Sequence, residues 1–320
     1  MHRQTGQRSF ADEVVAEKGH AGKMDRIAEV IDWSALAKLM EPIYAATTGR
    51  PSYPPLVLVK ALLLAQWYNL SDPQLEEALA DRLSFRRFVG LSLDEPTPDH
   101  VTLWRFRQEL GRNGLDSSLL AEINRQLEAR GLMLKQGTLL DATLVKAQAA
   151  PPQSGAGGRM AKASVDRDAR WSRGRGGLHF GYKAHLSMDQ DSALIRRAVL
   201  TPSKVNESEV ADELICGDER AVYADKAYEN KHRRRRLKAN GVKDRIMHRS
   251  HKNQDGLPHW QQRRNQLIAP IRRKVERIFG TLKRSYGFTR VRYDSLRSNT
   301  TQLMLMVTAL NLRRAPVLLS

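Results

Sequence analysis

The chain has 320 residues, room for about two domains at roughly 150 residues each, and 41% of it is apolar, which excludes a wholly disordered protein. One cysteine, Cys216, excludes a disulfide framework within the chain and fits a reducing compartment. The formal net charge is +18, from 53 Lys+Arg against 35 Asp+Glu.

Residues 1–24 are polar and weakly patterned, and are expected to form a loose arm or a short first helix. The arm begins with positive charge but has no apolar stretch behind it, so it does not read as a signal peptide. The most apolar run, residues 56–67 (LVLVKALLLAQW), is interrupted by Lys60 and is shorter than the roughly 18 residues that suggest a membrane span. A soluble, cytoplasmic protein with no membrane partner is expected.

Residues 25–132 read as an all-helical domain. Asp32, Trp33 and Ser34 cap a helix through Ala45. Tyr53-Pro54-Pro55 opens another, with proline in its first turn and Leu56, Val59, Leu63 and Trp67 as its buried stripe. Ser71-Asp72 starts DPQLEEALADRL, Ser84 starts SFRRFVGL, and Thr97-Pro98-Asp99 starts DHVTLWRFRQELGR, which ends near Gly111. Short helices joined by tight turns fit a helix-turn-helix reader of DNA, with Thr102, Arg105 and Arg107 facing a groove. An ordinary helical bundle fits the same pattern equally well.

The texture changes near Leu134. GTLLDATLV reads as a strand over 137–145. Residues 148–177 are poor in apolar residues and rich in Gly, Ala, Pro and Arg, and read as a mobile basic loop. Their glycines form no Walker pattern, which argues against an ATP site. HFGYKAHLSMD and ALIRRAVLTPS then form a hairpin about Gln190-Asp191-Ser192. Asn206 or Ser208 caps a helix to Cys216. AVYAD is a short buried strand, 230–239 a basic helix, 242–247 a strand, 261–284 one long helix, and 299–313 an amphipathic helix, with a tail at 314–320. This order predicts an α/β domain over 133–313, with a mixed sheet and helices packed on it.

The charge is not spread evenly. Residues 231–292 hold 20 Lys+Arg and 3 acids, a balance of +17, and the rest of the chain balances at +1. So concentrated an excess points to a polyanion, with nucleic acid as the default candidate.

Three acids stand out. Asp141 lies in the middle of an apolar strand, where a lone carboxylate costs several kcal/mol unless it is paired, protonated or metal-bound. Asp225 ends another short strand, and the two belong side by side at the edge of one sheet, where sites of α/β proteins are built. The third, Glu276, is in RRKVERIFGTLKRSYG. There Val275, Ile278, Phe279, Leu282 and Tyr286 fall on one stripe. With Val275 at 0°, Arg272, Lys283 and Glu276 fall at about 60°, 80° and 100° along its edge. One carboxylate between two cations suits a site that holds metal and phosphate together. A surface ion-pair ladder, with Arg272 and Glu276 four apart, accounts for it too.

LLDATLVKA, VYADKAYE and RRKVERIFGTLKRSYGF in this order resemble the DDE transposases of bacterial insertion sequences, most closely the IS-five branch of the IS-four superfamily. The resemblance runs from about Ile31 to Arg313, including the closing RVRYDSLRSNTTQLMLMVTALNLRR. It implies an α/β, RNase H-like mixed-sheet catalytic core preceded by an all-helical DNA-binding region. It implies Asp141, Asp225 and Glu276 as catalytic, metal-holding acids, with two Mg2+ per site and Mn2+ as a substitute. Its Tyr-Arg-Glu-Lys signature falls on Arg272, Glu276 and Lys283, with Ala269 in the tyrosine position, a departure that puts one DNA-end contact in doubt. The 51 residues from Asp225 to Glu276 leave no room for a large β-rich insertion.

The implied activity is cleavage at terminal inverted repeats and joining of 3′ ends to target DNA, by a homodimer or higher multimer on double-stranded DNA. Arg272 and Lys283 would hold terminal phosphates. Lys226, Lys183 and His185 would touch DNA near the site, although a strand lysine or histidine is more often structural. A degenerate or non-catalytic helix-turn-helix DNA-binding protein is the alternative, as is a nuclease of the same fold. The spacing of His248, His251 and His259 fits no common zinc site. Cys216, at the end of an apolar helix, is a poor nucleophile.

Overall fold

The computed structural model describes residues 22–43, 52–152, 163–174, 177–250 and 256–319. Most of the arm expected at 1–24, and the centre of the loop expected at 148–177, lie outside the described residues. The chain forms two compact units, one of residues 1–132 with 304–320 and one of 133–303.

The first unit is helical: α1 (Lys23–Val30), α2 (Trp33–Met40), α3 (Pro55–Tyr68), α4 (Asp72–Asp81), α5 (Leu83–Val89), α6 (His100–Arg112), α7 (Leu115–Ala129) and the end of α12 (Leu296–Leu319). Their starts follow local chemistry. The Asp32 carboxylate accepts from Ser34 N at 2.9 Å, Ser71 and Gln74 form a capping box, and Asp99 accepts from Thr102 N at 2.6 Å. The first helical residue of α3 is Pro55, whose missing N–H costs nothing there.

α3 is buried on nearly every side, not along one stripe, and Leu56 is among its less buried residues. A helix apolar all round belongs in the middle of a bundle. The end of α12 packs against it: Trp67 Nε1 donates to the Ala309 carbonyl at 2.7 Å, and Asn311 donates to Asn124 at 2.9 Å. The tail expected at 314–320 is thus helical through Leu319.

The second unit is built on one mixed sheet. Its strands are β1 (Thr138–Lys146), β2 (Arg170–Gly174), β3 (Gly177–Asp189), β4 (Ile195–Pro202), β5 (Ala221–Ala224) and β6 (Lys243–Ile246). The order is β2-β3-β1-β5-β6, with β4 also on β3. β1, β3 and β4 pair antiparallel, and β5 and β6 run parallel to β1. The helices here are α8 (Glu207–Leu214), α9 (Lys231–Ala239), α10 (His259–Arg272) and α11 (Lys274–Ser285). Leu140, Val222, Ala224 and Ile246 of the sheet pack with Val210, Ala211 and Leu214 of α8 and Leu237 of α9.

Two expectations are corrected. The basic loop read as mobile through 177 contains strand β2, paired to β3. Polar anchors replace the missing apolar ones: the Asp166 carboxylate accepts from Tyr182 Oη at 2.7 Å and from the backbone N–H groups of Asp168 and Ala169. The long helix expected over 261–284 is two helices that meet at Arg273. Pro270, which has no N–H to donate, lies one turn before the junction.

Candidate active site

β1 and β5 are parallel neighbours, with Leu139 paired to Tyr223. Two residues beyond that pair stand Asp141 and Asp225, close enough for the charge of Asp225 to act on Asp141. Asp141 is still inside β1. Asp225 follows β5 and caps a single 3-10 turn (Lys226–Tyr228), accepting from Lys226 N at 2.6 Å.

The Asp141 carboxylate accepts from Arg272 Nη1 at 2.9 Å, with less than a fifth of either side chain exposed. Burial pushes its pKa up, Arg272 pulls it down, and the nearby charge of Asp225 pushes it up again. The net direction is upward. One arginine therefore does not fully offset the burial of this carboxylate beside another.

Arg272, the last residue of α10, is thus committed to Asp141 and not to Glu276. The helix break separates the two, so the turn-by-turn arithmetic that aligned them does not hold across Arg273. Val275, Ile278, Phe279, Leu282 and Tyr286 are all buried, so α11 does turn that stripe inward. Glu276, in its first turn, is exposed and has no side-chain partner among the described residues. The structure brings Asp141, Asp225 and Arg272 together and leaves Glu276 exposed, outside that group.

Lys283 is half-buried, its pKa lowered by burial, and its charge reaches His179 on β3. Lys226 is exposed beside Asp225. Lys183 donates to the Val205 carbonyl at 2.9 Å and lies 3.8 Å from Glu207, so it is committed inside the unit.

Two expected DNA contacts are corrected. His185 is 0% exposed, and its Nε2 meets Thr201 Oγ1 at 2.9 Å. Burial, and then the charge of Lys183, lowers its pKa to about 4, so it is neutral and out of reach. Arg107 is buried with both terminal nitrogens on the Asp72 carboxylate. It ties α6 to α4 and does not face a groove. Arg105, two residues earlier, is exposed.

The basic segment divides in the same way. Arg233 and Arg236 pair with Asp212, while Arg234 and Arg264 pair with Asp244, so these four hold the fold. Lys231, Arg235, Lys238, Arg263, Arg273, Arg277 and Arg284 are exposed.

Sequence reasoning did not single out Glu207 or Tyr228. Glu207, the first residue of α8, is within electrostatic reach of Asp141, Asp225, Lys183 and Arg272. Tyr228 is fully buried, its hydroxyl has no partner among the described residues, and it feels Glu207, Asp141 and Asp225. An acid in a helix's first turn is too ordinary a pattern to mark a site.

Elsewhere, Cys216, Asp218 and Glu219 have ligand atoms within 4.8 Å of one another. Arg196 pairs with both acids and Lys135 with Asp218 at 2.7 Å, so cations already balance that cluster. Burial raises the Cys216 thiol pKa, which leaves it a poor nucleophile. His251 lies outside the described residues. His248 sits against Glu229 and the Trp260 ring. No described helix is long and apolar enough to cross a membrane.

Residues 133–312 match the family model described as Transposase DDE domain, and residues 10–109 match that described as Transposase domain (DUF772). The first match implies an RNase H-like core, and the second unit has the mixed sheet such a core needs. No solved structure matches the chain.

Proposed function

We propose a reaction for this chain from the premise that it belongs to the Transposase DDE domain family, whose model spans more than half of it, and is a DDE transposase, an enzyme acting on DNA. It binds the terminal inverted repeats of its own insertion sequence, cuts the element's ends and joins the 3′ ends to target DNA. The observation that carries this reading is the pair of Asp141 on β1 and Asp225 at the end of its parallel neighbour β5, with the guanidinium of Arg272 on Asp141.

The family implies dependence on a divalent metal, typically Mg2+. The residues fit such an ion. The donors are carboxylate oxygens, which a hard cation prefers, and Asp141 is a largely buried carboxylate, its pKa raised by that burial and further by the charge of Asp225. Asp141 and Asp225 would hold it. Glu276, exposed and outside that group, is the third acid by the family pattern and would complete the set. When bound, such an ion activates an attacking hydroxyl and offsets charge on the phosphate.

The chain's own groups do the rest. Arg272, beside Asp141, would present a planar fork to a DNA phosphate. Lys283 supplies a second positive charge further along α11, and Lys226 a third beside Asp225. The exposed cations of α9, α10 and α11 guide the duplex, which makes binding steeply dependent on salt. The helical unit, through Arg105 among others, recognises the repeat. Two chains bridge two ends in the cytoplasm, and the resemblance of the Arg272, Glu276 and Lys283 set to the superfamily's signature supports an enzyme of the IS-five branch.

The test is a plasmid-to-plasmid mobility assay of the gene with its native flanks, run beside Asp225→Asn and Glu276→Gln. Movement with the wild type alone is expected. Movement with either variant removes that residue from the site.

A further inference from the structure

We propose that Glu207 is a further cation-binding carboxylate of the Asp141–Asp225 site, steadied by the buried hydroxyl of Tyr228. The proposal rests on the transposase reading and adds a residue from a different element.

The packing of α8 brings Glu207 there. Val210, Ala211 and Leu214 seat the helix against a core that includes Leu140, Ala224 and Tyr228. Arg233 donates both to Ser208 and to the Tyr228 carbonyl, so the start of α8 lies beside the turn that Asp225 caps. Asn206 caps the helix through Ser208 N at 3.0 Å, which leaves the Glu207 side chain free of capping.

Charge argues the same way. Burial raises the Glu207 pKa, Lys183 lowers it, and Asp141 and Asp225 both raise it. The ion pair with Lys183 is long, 3.8 Å, because that ammonium donates to the Val205 carbonyl. Asp141 and Glu207 thus share their surroundings with Asp225, and the cations Arg272 and Lys183 do not fully offset their burial.

The second, independent observation is Tyr228. Its side chain is 0% exposed, its hydroxyl has no hydrogen-bond partner among the described residues, and the charges it feels include Glu207, Asp141 and Asp225. A buried donor without an acceptor costs about 1–3 kcal/mol, which selection tolerates where the group has work to do. Burial and those carboxylates raise its pKa well above the ordinary value, so it stays a donor. Glu207, Asp141 and Asp225 would hold a divalent cation between them, which would offset their charge, with the Tyr228 hydroxyl as a donor to a carboxylate of the set.

The experiment is an Mn2+ titration of the full-length chain without DNA, with free Mn2+ read by electron paramagnetic resonance. Wild type, Glu207→Gln, Asp225→Asn, Tyr228→Phe and Glu209→Gln are compared, with folding checked by circular dichroism. Glu209 is an exposed acid of the same helical turn and controls for charge alone. Glu207→Gln should weaken Mn2+ binding about tenfold or more and Tyr228→Phe several-fold, in the range that ligand-supporting groups command. Glu209→Gln should leave it unchanged.

Glu207→Gln that binds like wild type while Asp225→Asn loses the ion overturns the proposal and leaves the parent reading standing. Wild-type affinity in Asp225→Asn as well, or no Mn2+ uptake by the wild type, overturns both. An equal loss in Glu209→Gln reduces the effect to net charge and also overturns the proposal. Should Glu207→Gln not fold, iron-promoted hydroxyl-radical cleavage of the unmutated chain reads the same site. Cuts near 141, 225 and 207 are expected, and cuts near the first two alone refute it.

Discussion

His185 makes the sharpest thermodynamic prediction. Its imidazole is fully buried on β3, one nitrogen on Thr201 and the other without a partner, so no water screens a charge placed on it. Its pKa falls from 6.5 to about 4 on folding, through burial first and the Lys183 charge second. The unfolded chain therefore takes up the proton before the folded one does. The stability this group contributes is whole above pH 6.5 and is lost as the pH falls toward 4. At about 1.4 kcal/mol per pH unit the full loss is on the order of 3 kcal/mol. Urea unfolding followed by circular dichroism, between pH 7.5 and 4.5, should show the wild type losing that much more than His185→Gln, which keeps a polar group and cannot be charged. Other titrating groups are common to both proteins and cancel in the difference. A difference that stays constant across this range would refute the burial argument and return His185 to the candidate DNA contacts.

Arg107→Leu should destabilise the helical unit by about 3 kcal/mol, since it strands the Asp72 carboxylate, whereas Arg105→Leu should change stability by less than about 0.5 kcal/mol and weaken binding to DNA. Thermal melts and a filter-binding assay separate the two. Gly181→Ala should cost about 3 kcal/mol: at φ +155° its new Cβ would stand 2.3 Å from the Val145 carbonyl oxygen, with backbone on every near side. A urea midpoint that does not move would show that β1 and β3 can part there. Mg2+ at about 100 times its dissociation constant should stabilise the wild-type chain by about 2.7 kcal/mol, reversed by chelator, and should do little for Asp225→Asn. Equal stabilisation of both proteins would place the ion elsewhere.

Much of the fold could be read from local chemistry because its signals are local. The caps at Asp32, Ser71, Asp99 and Asn206 each rest on a side chain satisfying a nearby backbone N–H. β1, β3, β4 and β5 stand where apolar and β-branched runs put them. The misses have a different origin. β2 is held by Asp166 and by pairing with a strand later in the chain, so its own composition, poor in apolar residues, carried no sign of order. α3 is apolar on all faces, and a search for one stripe finds one wherever it looks. The helix junction at Arg273 had a visible cause in Pro270, outweighed by the strong periodicity of α11.

The same distinction runs through the candidate site. Asp141 and Asp225 betray themselves because a charge in an apolar strand is expensive, and expense is visible one strand at a time. Glu276 and Arg272 were aligned by treating two helices as one, and the guanidinium in fact reaches 131 residues back to Asp141. Arg107 and His185 looked like DNA contacts because a basic side chain in a DNA-acting protein invites that role. Whether such a side chain faces a groove or a buried partner depends on residues far away in sequence, Asp72 in one case and Thr201 in the other. Glu207 and Tyr228 have no local signature at all: an acid opening a helix and a tyrosine in a turn are commonplace. They become notable only when β1, β5 and α8 are packed together, and three carboxylates from separate parts of the chain come within electrostatic reach of one another.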